Sequence, residues 1–593
     1  MIRNGFILLL ILWATVAQAT PEIKYILSFP EPQTHYVKVK MEIKGWSQST
    51  CKLKLPVWAP GSYLIREFSR FLEQFQATSN GSDLEVSRFR KNGWEVKNGS
   101  EQNFTVEYYI YAYELTVRTS FVDIDHAYLN GTSIFLYIDE WKNIPVTVQL
   151  NPYNEWKKIS VALDRVEKGN PWLLKAEDYD ELVDAPFEIG NHDVFSFTAA
   201  GINHDVAIYG GGFYDTEAIK RDFTKLIEEE VKIFGEHPCK NYLFIVHLTA
   251  NASGGLEHKN STTIQASRNA LTTISGYNNF ISLAAHEYFH LWNVKRLRPY
   301  PLGPFDYDNE NYTSLLYFSE GFTSYYDEKV TVKCGLVKPD NYLKTIASAV
   351  SSLENQPGNK FQSLKESSYD AWIKYYRSNE NSSNATVSYY SKGAIIGLLL
   401  DISLLDITKG EKGLDDLMKQ MYKDFYLKNN RGFTEAELLA TTNKLCNCDM
   451  EPFFKNYIYF ARPVSYREIF LKAGVEIKDL NEGLKTAYAG FNTTSSSGKF
   501  LVSSVERNGA AWIAGLNVND ELIAVNSIRV TDDPQKILAQ FSIDDVITIL
   551  VSRGGVIREI KLKMAKSSKV NYELKRMENA SELQKKVFAK WLE

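Results

Sequence analysis

The chain has 593 residues, 44% of them hydrophobic, 13% aromatic and 23% charged, with a net charge of -5. That length is too great for one hydrophobic core and predicts three or four domains. The near-neutral balance leaves no basic footprint for nucleic acid and no run of like charge that could act as a binding tail.

In chain order, Arg3 precedes the apolar run Phe6 to Val16 and then Ala17-Gln18-Ala19, the layout of an export signal over residues 1–19. The run is shorter than the ~20 residues that span a bilayer, and no later segment is long and apolar enough. The expected mature chain therefore starts near Thr20 and is periplasmic or secreted, without a transmembrane segment. Five cysteines, Cys51, Cys239, Cys334, Cys446 and Cys448, are odd in number and irregular in spacing. Cys446-x-Cys448 is too close for a metal knuckle, so no chemistry is expected of them.

Residues 20–200 read as an N-terminal β-domain. His35-Tyr-Val-Lys-Val-Lys-Met-Glu-Ile and Phe104-Thr-Val-Glu-Tyr-Tyr-Ile-Tyr alternate apolar and polar side chains, the period of half-buried strands. Turn pairs such as Asn80-Gly81 and Asn98-Gly99 separate such runs. Residues 201–465 change pattern. The strand Tyr242 to Leu248 precedes helical spacing over 281–297, 313–333, 390–406 and 411–425. Short strands return over 470–566, at Phe500 to Val505, Glu521 to Asn526 and Val546 to Val551, with Ser495 to Gly498 expected as an exposed loop. Residues 567–593 form a helical tail whose Phe588, Trp591 and Leu592 dock on the body. The fold class is multidomain α+β.

The strongest chemical signal is His286-Glu287-Tyr288-Phe289-His290. On a helix, positions i and i+4 share one face, so both imidazoles reach one zinc ion. Glu287 stands beside them as a base for a metal-bound water. With only nine histidines in the chain, chance produces such a match on the order of 0.01 times, which favours a site over two core histidines. A catalytic zinc needs a third protein ligand and one open position. By chemistry Glu320, in Phe318-Ser-Glu-Gly-Phe-Thr323, is the best candidate, with Glu310 and Glu328 as competitors.

His286 to Pro299, Ser319-Glu-Gly-Phe-Thr-Ser-Tyr-Tyr326 and Leu55-Pro-Val-Trp-Ala-Pro-Gly-Ser-Tyr-Leu-Ile-Arg66 together resemble the glycyl aminopeptidase family. These are PDZ-bearing gluzincin peptidases related to aminopeptidase N and leukotriene A4 hydrolase, and the resemblance covers almost the whole chain. It implies a thermolysin-like, mostly helical catalytic domain at 201–465 and one zinc per chain, held by His286, His290 and Glu320. Gly254-Gly255-Leu-Glu257-His258 resembles the clan's substrate-aligning strand, in which the Glu pairs with the substrate's free amine; His258 departs from the clan's Asn. Tyr389-Tyr390-Ser-Lys-Gly393 resembles the clan's Tyr-x-Lys-Gly motif and maps Tyr390 onto the oxyanion-stabilising hydroxyl. Asn508 to Leu516 and Asn519 to Asn526 resemble a PDZ-like core at 470–566. The Gly-Leu-Gly-Phe loop that receives a C-terminus is missing, with Ala489-Gly490-Phe491 its nearest remnant.

The expected activity is a zinc aminopeptidase acting on peptides, with the preference for Gly or Ala that the family name implies. Two alternatives follow from the residues. The enzyme is an endopeptidase if Glu257 does not face the cleft, or the chain is a peptide-binding scaffold if the metal site is vestigial.

Overall fold

The computed structural model describes residues 20–593; the expected export signal at 1–19 lies outside the described residues. The chain divides into two compact units, residues up to 57 with 67–191, and residues 58–66 with 192–593.

The first unit is β-rich. Its main sheet has eight strands in the order 164–165, 173–176, 146–151, 22–28, 36–44, 104–111, 72–79 and 82–83. Strand Tyr36–Lys44 shows the predicted alternation, with Val37, Val39, Met41 and Ile43 all fully buried. Smaller sheets of three and four strands complete the unit.

The second unit opens with a five-stranded sheet ordered 193–199, 202–209, 241–249, 261–267 and 254–257. Strand Asn241–Thr249 runs parallel to both of its neighbours and is buried along nearly its whole length. That explains its continuous apolar reading. Strand Gly254–Glu257 is antiparallel to Ser261–Ser267 and forms the sheet edge. Helices pack against this sheet. Thr216–Phe234 is capped by Asp215, whose carboxylate accepts from Glu217 and Ala218 backbone N–H groups, and stops at Gly235 with φ of 89°. Ile274–Phe289 starts from a Thr273 cap.

Helices Thr323–Lys333, Ser391–Ile407 and Leu414–Met421 meet around the buried Lys329 ammonium, 2.8 Å from both Asp401 and Asp415. Removing one partner of such a buried charge costs about 3–5 kcal/mol. The helix expected over 281–297 ends at Phe289, because the chain then turns through Val294 at φ of 115°. The segment expected over 411–425 is a helix that opens into a π-turn at Tyr422–Leu427.

Beyond residue 470 lies a six-stranded sheet with strands 491–496, 499–505, 521–525, 546–553 and 556–563 in path order, while 528–529 pairs with 521–525. Short helices Ala510–Ala514 and Pro534–Leu538 close over a core that includes Phe491, Leu522, Ile547, Ile549 and Leu562. Ser495 and Ser496, expected in a loop, are the end of a strand; only Ser497 and Gly498 make the turn. The terminal helix Glu582–Leu592 buries Val587, Phe588, Trp591 and Leu592 as expected of a docked tail. Cys446 and Cys448 form a disulfide, and Cys51, Cys239 and Cys334 are free. No helix among the described residues is long and apolar enough to cross a membrane.

Candidate active site

Helix Ile274–Phe289 carries His286 and Glu287, and His290 is its C-cap. The π-helical turn Tyr317–Phe322 carries Glu320 and runs on into helix Thr323–Lys333; such turns are rare and cluster at functional sites. Nε2 of His290 and of His286 lie 3.3 and 3.6 Å from the same Glu320 oxygen. The three side chains are buried and present their ligand atoms within 4.8 Å of one another. Glu310 and Glu328, the other sequence candidates, stand in neither cluster of potential ligands among the described residues.

The remaining nitrogens are held from behind. His286 Nδ1 sits 2.9 Å from an Asp327 oxygen, and His290 Nδ1 2.7 Å from the Asn293 carbonyl. Partners of this kind set the tautomer and aim Nε2 inward. The Asn293 amide also donates to the Phe318 and Ser319 carbonyls and to Thr323 Oγ1, tying the turn after the motif helix to the Glu320 turn. The next residue, Val294, is β-branched at a left-handed φ, backbone strain of the kind that persists only where surrounding contacts impose it.

Sequence reasoning did not single out Asp327 or the role of Asn293. The signal was present: Asp327 lies seven residues, two helical turns, beyond Glu320, and Asn293 stood inside the quoted motif.

Electrostatically the cluster is short of positive charge. Burial pushes the Glu287 carboxyl up to about 7, the Glu257 and Glu320 carboxylates adding to the effect and the two imidazoles opposing it. Burial also disfavours the Glu320 charge, yet His290 and His286 hold that carboxyl down at about 2. One Glu320 oxygen and one Glu287 oxygen are buried with no hydrogen-bond partner. Two inward-facing imidazoles and unpartnered carboxylate oxygens in a dry site fit a divalent cation with N/O preference, zinc foremost.

Close backbone approach explains the glycines of the motifs. A side chain at Gly255 would begin 2.0 Å from a Glu287 oxygen, so the edge strand lies directly against that carboxylate. A Cβ on Gly321 would fall 2.5 Å from the Gly393 Cα, so the Glu320 turn and helix Ser391–Ile407 cross backbone to backbone. That crossing brings Tyr390 to the site, its ring 6.3 Å from that of His286. Tyr389 is fully buried with its hydroxyl unpartnered, whereas Tyr390 is half-buried. Burial, then the Glu320 charge, hold the Tyr390 phenol well above its usual range, so it stays a proton donor. Glu257, at the C-terminal end of the edge strand, joins Glu287 and His290 in a second buried cluster within 4.8 Å. His258, also buried, follows it.

Residues 24–191 match the peptidase M61 N-terminal domain and residues 279–396 the M61 glycyl aminopeptidase. The crystal structure of an aminopeptidase N family protein from Idiomarina loihiensis superposes with a TM-score of 0.89 at 31% identity, over 96% of this chain and 100% of that one. An M1 zinc metallopeptidase from Deinococcus radiodurans, solved with a Tyr-Ser-Ala substrate, gives 0.48 at 13% identity over 75% and 94% of the two chains. Yeast LTA4 hydrolase with bestatin gives 0.44 at 14% identity over 76% and 71%. No curated protein matches by sequence. With a 31% identical relative matched from end to end, and the M61 profile falling on the helices that hold His286, His290, Glu320 and Tyr390, the chain belongs to the M61 glycyl aminopeptidase family.

Proposed function

We propose that the protein is a zinc aminopeptidase that releases residues from free peptide N-termini, small ones such as Gly or Ala foremost. The observation that carries this reading is Glu257. It is a buried carboxylate that no hydrogen bond among the described residues engages, placed beside Glu287 and His290 at the end of an edge strand. A carboxylate in that position calls for a cation, and the ammonium of a peptide bound along the strand supplies one. The preference for small residues is carried by family membership and by no pocket residue.

His286, His290 and Glu320 would hold the zinc, which supplies Lewis-acid polarisation of the scissile carbonyl and a lowered pKa for bound water. Glu287 accepts the proton of the attacking water and returns it to the leaving nitrogen. The Tyr390 phenol donates a hydrogen bond to the oxygen on which negative charge develops. The free backbone edge of Gly254 and Gly255 pairs with the substrate as an added strand, while Glu257 sets its register by holding the amine. The domain over 470–566 is read as PDZ-like, on its strand and helix order; with no Gly-Leu-Gly-Phe loop, its role is structural or substrate-guiding.

The test is hydrolysis of Gly-, Ala- and Leu-p-nitroanilides and their N-acetyl forms, on wild type and Glu287→Gln with zinc measured on both. The reading expects turnover of free-amine substrates only, lost in the variant at unchanged zinc. Cleavage of blocked peptides would establish an endopeptidase instead, and a protein that binds no zinc would return the reading to a scaffold.

A further inference from the structure

The segment Trp58 to Arg66 stands early in the chain, yet it clusters with the second unit. Its anchors are explicit. Trp58 is fully buried, its Nε1 donates to the Asp306 carbonyl at 2.8 Å, and its ring meets those of Trp372 at 5.1 Å and Phe305 at 5.8 Å. Ser62 N–H donates back to the Ala59 carbonyl, and Arg66 donates to Ser62 Oγ at 2.8 Å, so the segment is a tight, internally braced turn.

Gly61 of this turn touches the candidate amine anchor, and Tyr63 follows it two residues on. Gly61 has φ of 87°, and a Cβ built on it would lie 2.5 and 2.7 Å from the two Glu257 carboxylate oxygens. The Gly61 backbone therefore lies flat against that carboxylate, and any side chain there would displace it. Tyr63 is 1% exposed, wedged against Trp372 at 5.7 Å and Tyr376 at 6.4 Å. Burial raises its phenol well above the usual range, and the charges that add most are Glu320 and then Glu257. Tyr63 stands two residues along the same turn from Gly61, whose backbone lies against the candidate amine anchor. No hydrogen bond among the described residues reaches either the Tyr63 hydroxyl or the Glu257 carboxylate, and neither is sealed from the cleft.

An α-ammonium has three N–H donors, and Glu257 alone does not satisfy them. A phenol oxygen that no hydrogen bond engages has lone pairs free to accept from such a donor. We propose that the turn Trp58–Arg66 completes the amine end of the cleft, with the Tyr63 hydroxyl contacting the substrate's α-ammonium beside Glu257 and Gly61 positioning the Glu257 carboxylate through its missing side chain. This rests on the aminopeptidase reading and adds to it a substrate-binding residue and a positioning residue from the Leu55–Arg66 motif, to which no role was assigned.

The test is calorimetric titration of the full-length, zinc-loaded Glu287→Gln protein, which does not turn over, with glycinamide and with N-acetylglycinamide. Adding Tyr63→Phe keeps the ring and removes only the hydroxyl. The expected result is about tenfold weaker glycinamide binding, with zinc content, thermal midpoint and N-acetylglycinamide binding unchanged. Adding Gly61→Ala is expected to weaken glycinamide more, because it displaces Glu257 as well. With Glu287 restored, Tyr63→Phe raises KM for glycine p-nitroanilide about tenfold while kcat stays within about threefold. If Tyr63→Phe binds glycinamide as tightly as its parent while Glu257→Ala loses it, the proposal falls and the aminopeptidase reading stands. If the parent protein does not distinguish glycinamide from its acetylated form, both fall together.

Discussion

The two faces of helix Ile274–Phe289 carry histidine chemistry of opposite sense. On one face His286 and His290 look toward Glu320, with Asp327 behind His286. Burial lowers both imidazoles, but the adjacent carboxylates outweigh it and raise them above their usual range, His286 most. On the other face the buried Tyr288 hydroxyl lies 2.8 Å from His204 Nε2 and 2.5 Å from His237 Nε2. No carboxylate stands close enough to prevail there, and burial pushes both of these histidines down to about 4. The Cys239 N–H donates to His237 Nδ1, so His237 presents N–H to the phenol and the phenol donates to His204. One helix thus separates a charge-rich face suited to a cation from a neutral relay that fixes the helix against the sheet. The residue type is the same; the neighbouring carboxylates decide its state.

Changes on the two faces should separate cleanly. Glu287→Gln removes the proposed base and should lower kcat by about 10^3 at unchanged zinc content, read by nitroanilide turnover beside metal analysis. Tyr390→Phe should lower kcat by about 10^2 with KM nearly unchanged if, as proposed, the hydroxyl acts where charge develops. Asp327→Asn should weaken metal affinity about 10- to 100-fold in a chelator competition, by freeing His286 to rotate. Tyr288→Phe, on the far face, should cost about 1–2 kcal/mol of folding stability in urea titration and leave zinc affinity intact. If Tyr288→Phe released zinc as readily as Asp327→Asn, the two faces would not be independent.

The last effect is on pH dependence. His204 and His237 hold pKa values of about 4 in the fold against 6.5 when free. As pH falls the unfolded chain takes up these protons first, so their contribution is complete above about 6.5 and is lost between 6.5 and 4. Thermal midpoints should fall across that window, less steeply in His204→Gln.

Strand alternation in Tyr36–Lys44, the buried run Asn241–Thr249 and the i,i+4 histidine pair could be read directly, because each is a local pattern with one periodicity. The helix over 281–297 was read too long, since apolar spacing continues through Leu291 and Trp292 although the chain has already turned to present the Asn293 carbonyl to His290. Ser495 and Ser496 read as loop because no apolar side chain marks them, yet the backbone ladder with Lys499 and Phe500 makes them strand.

By itself the sequence determined the chemistry on offer: two imidazoles one helical turn apart, a neighbouring carboxylate, and glycines where backbones must touch. Only the tertiary structure decided which carboxylate joins them. Glu320 rather than Glu310 or Glu328 meets the histidines, because the Gly321–Gly393 crossing holds its turn against the motif helix and helix Ser391–Ile407. Nor could spacing reveal that Gly61, almost two hundred residues ahead of Glu257 in the chain, lies against its carboxylate. Local periodicity is written in neighbouring residues, whereas a site is assembled by contacts between segments that the chain itself keeps far apart.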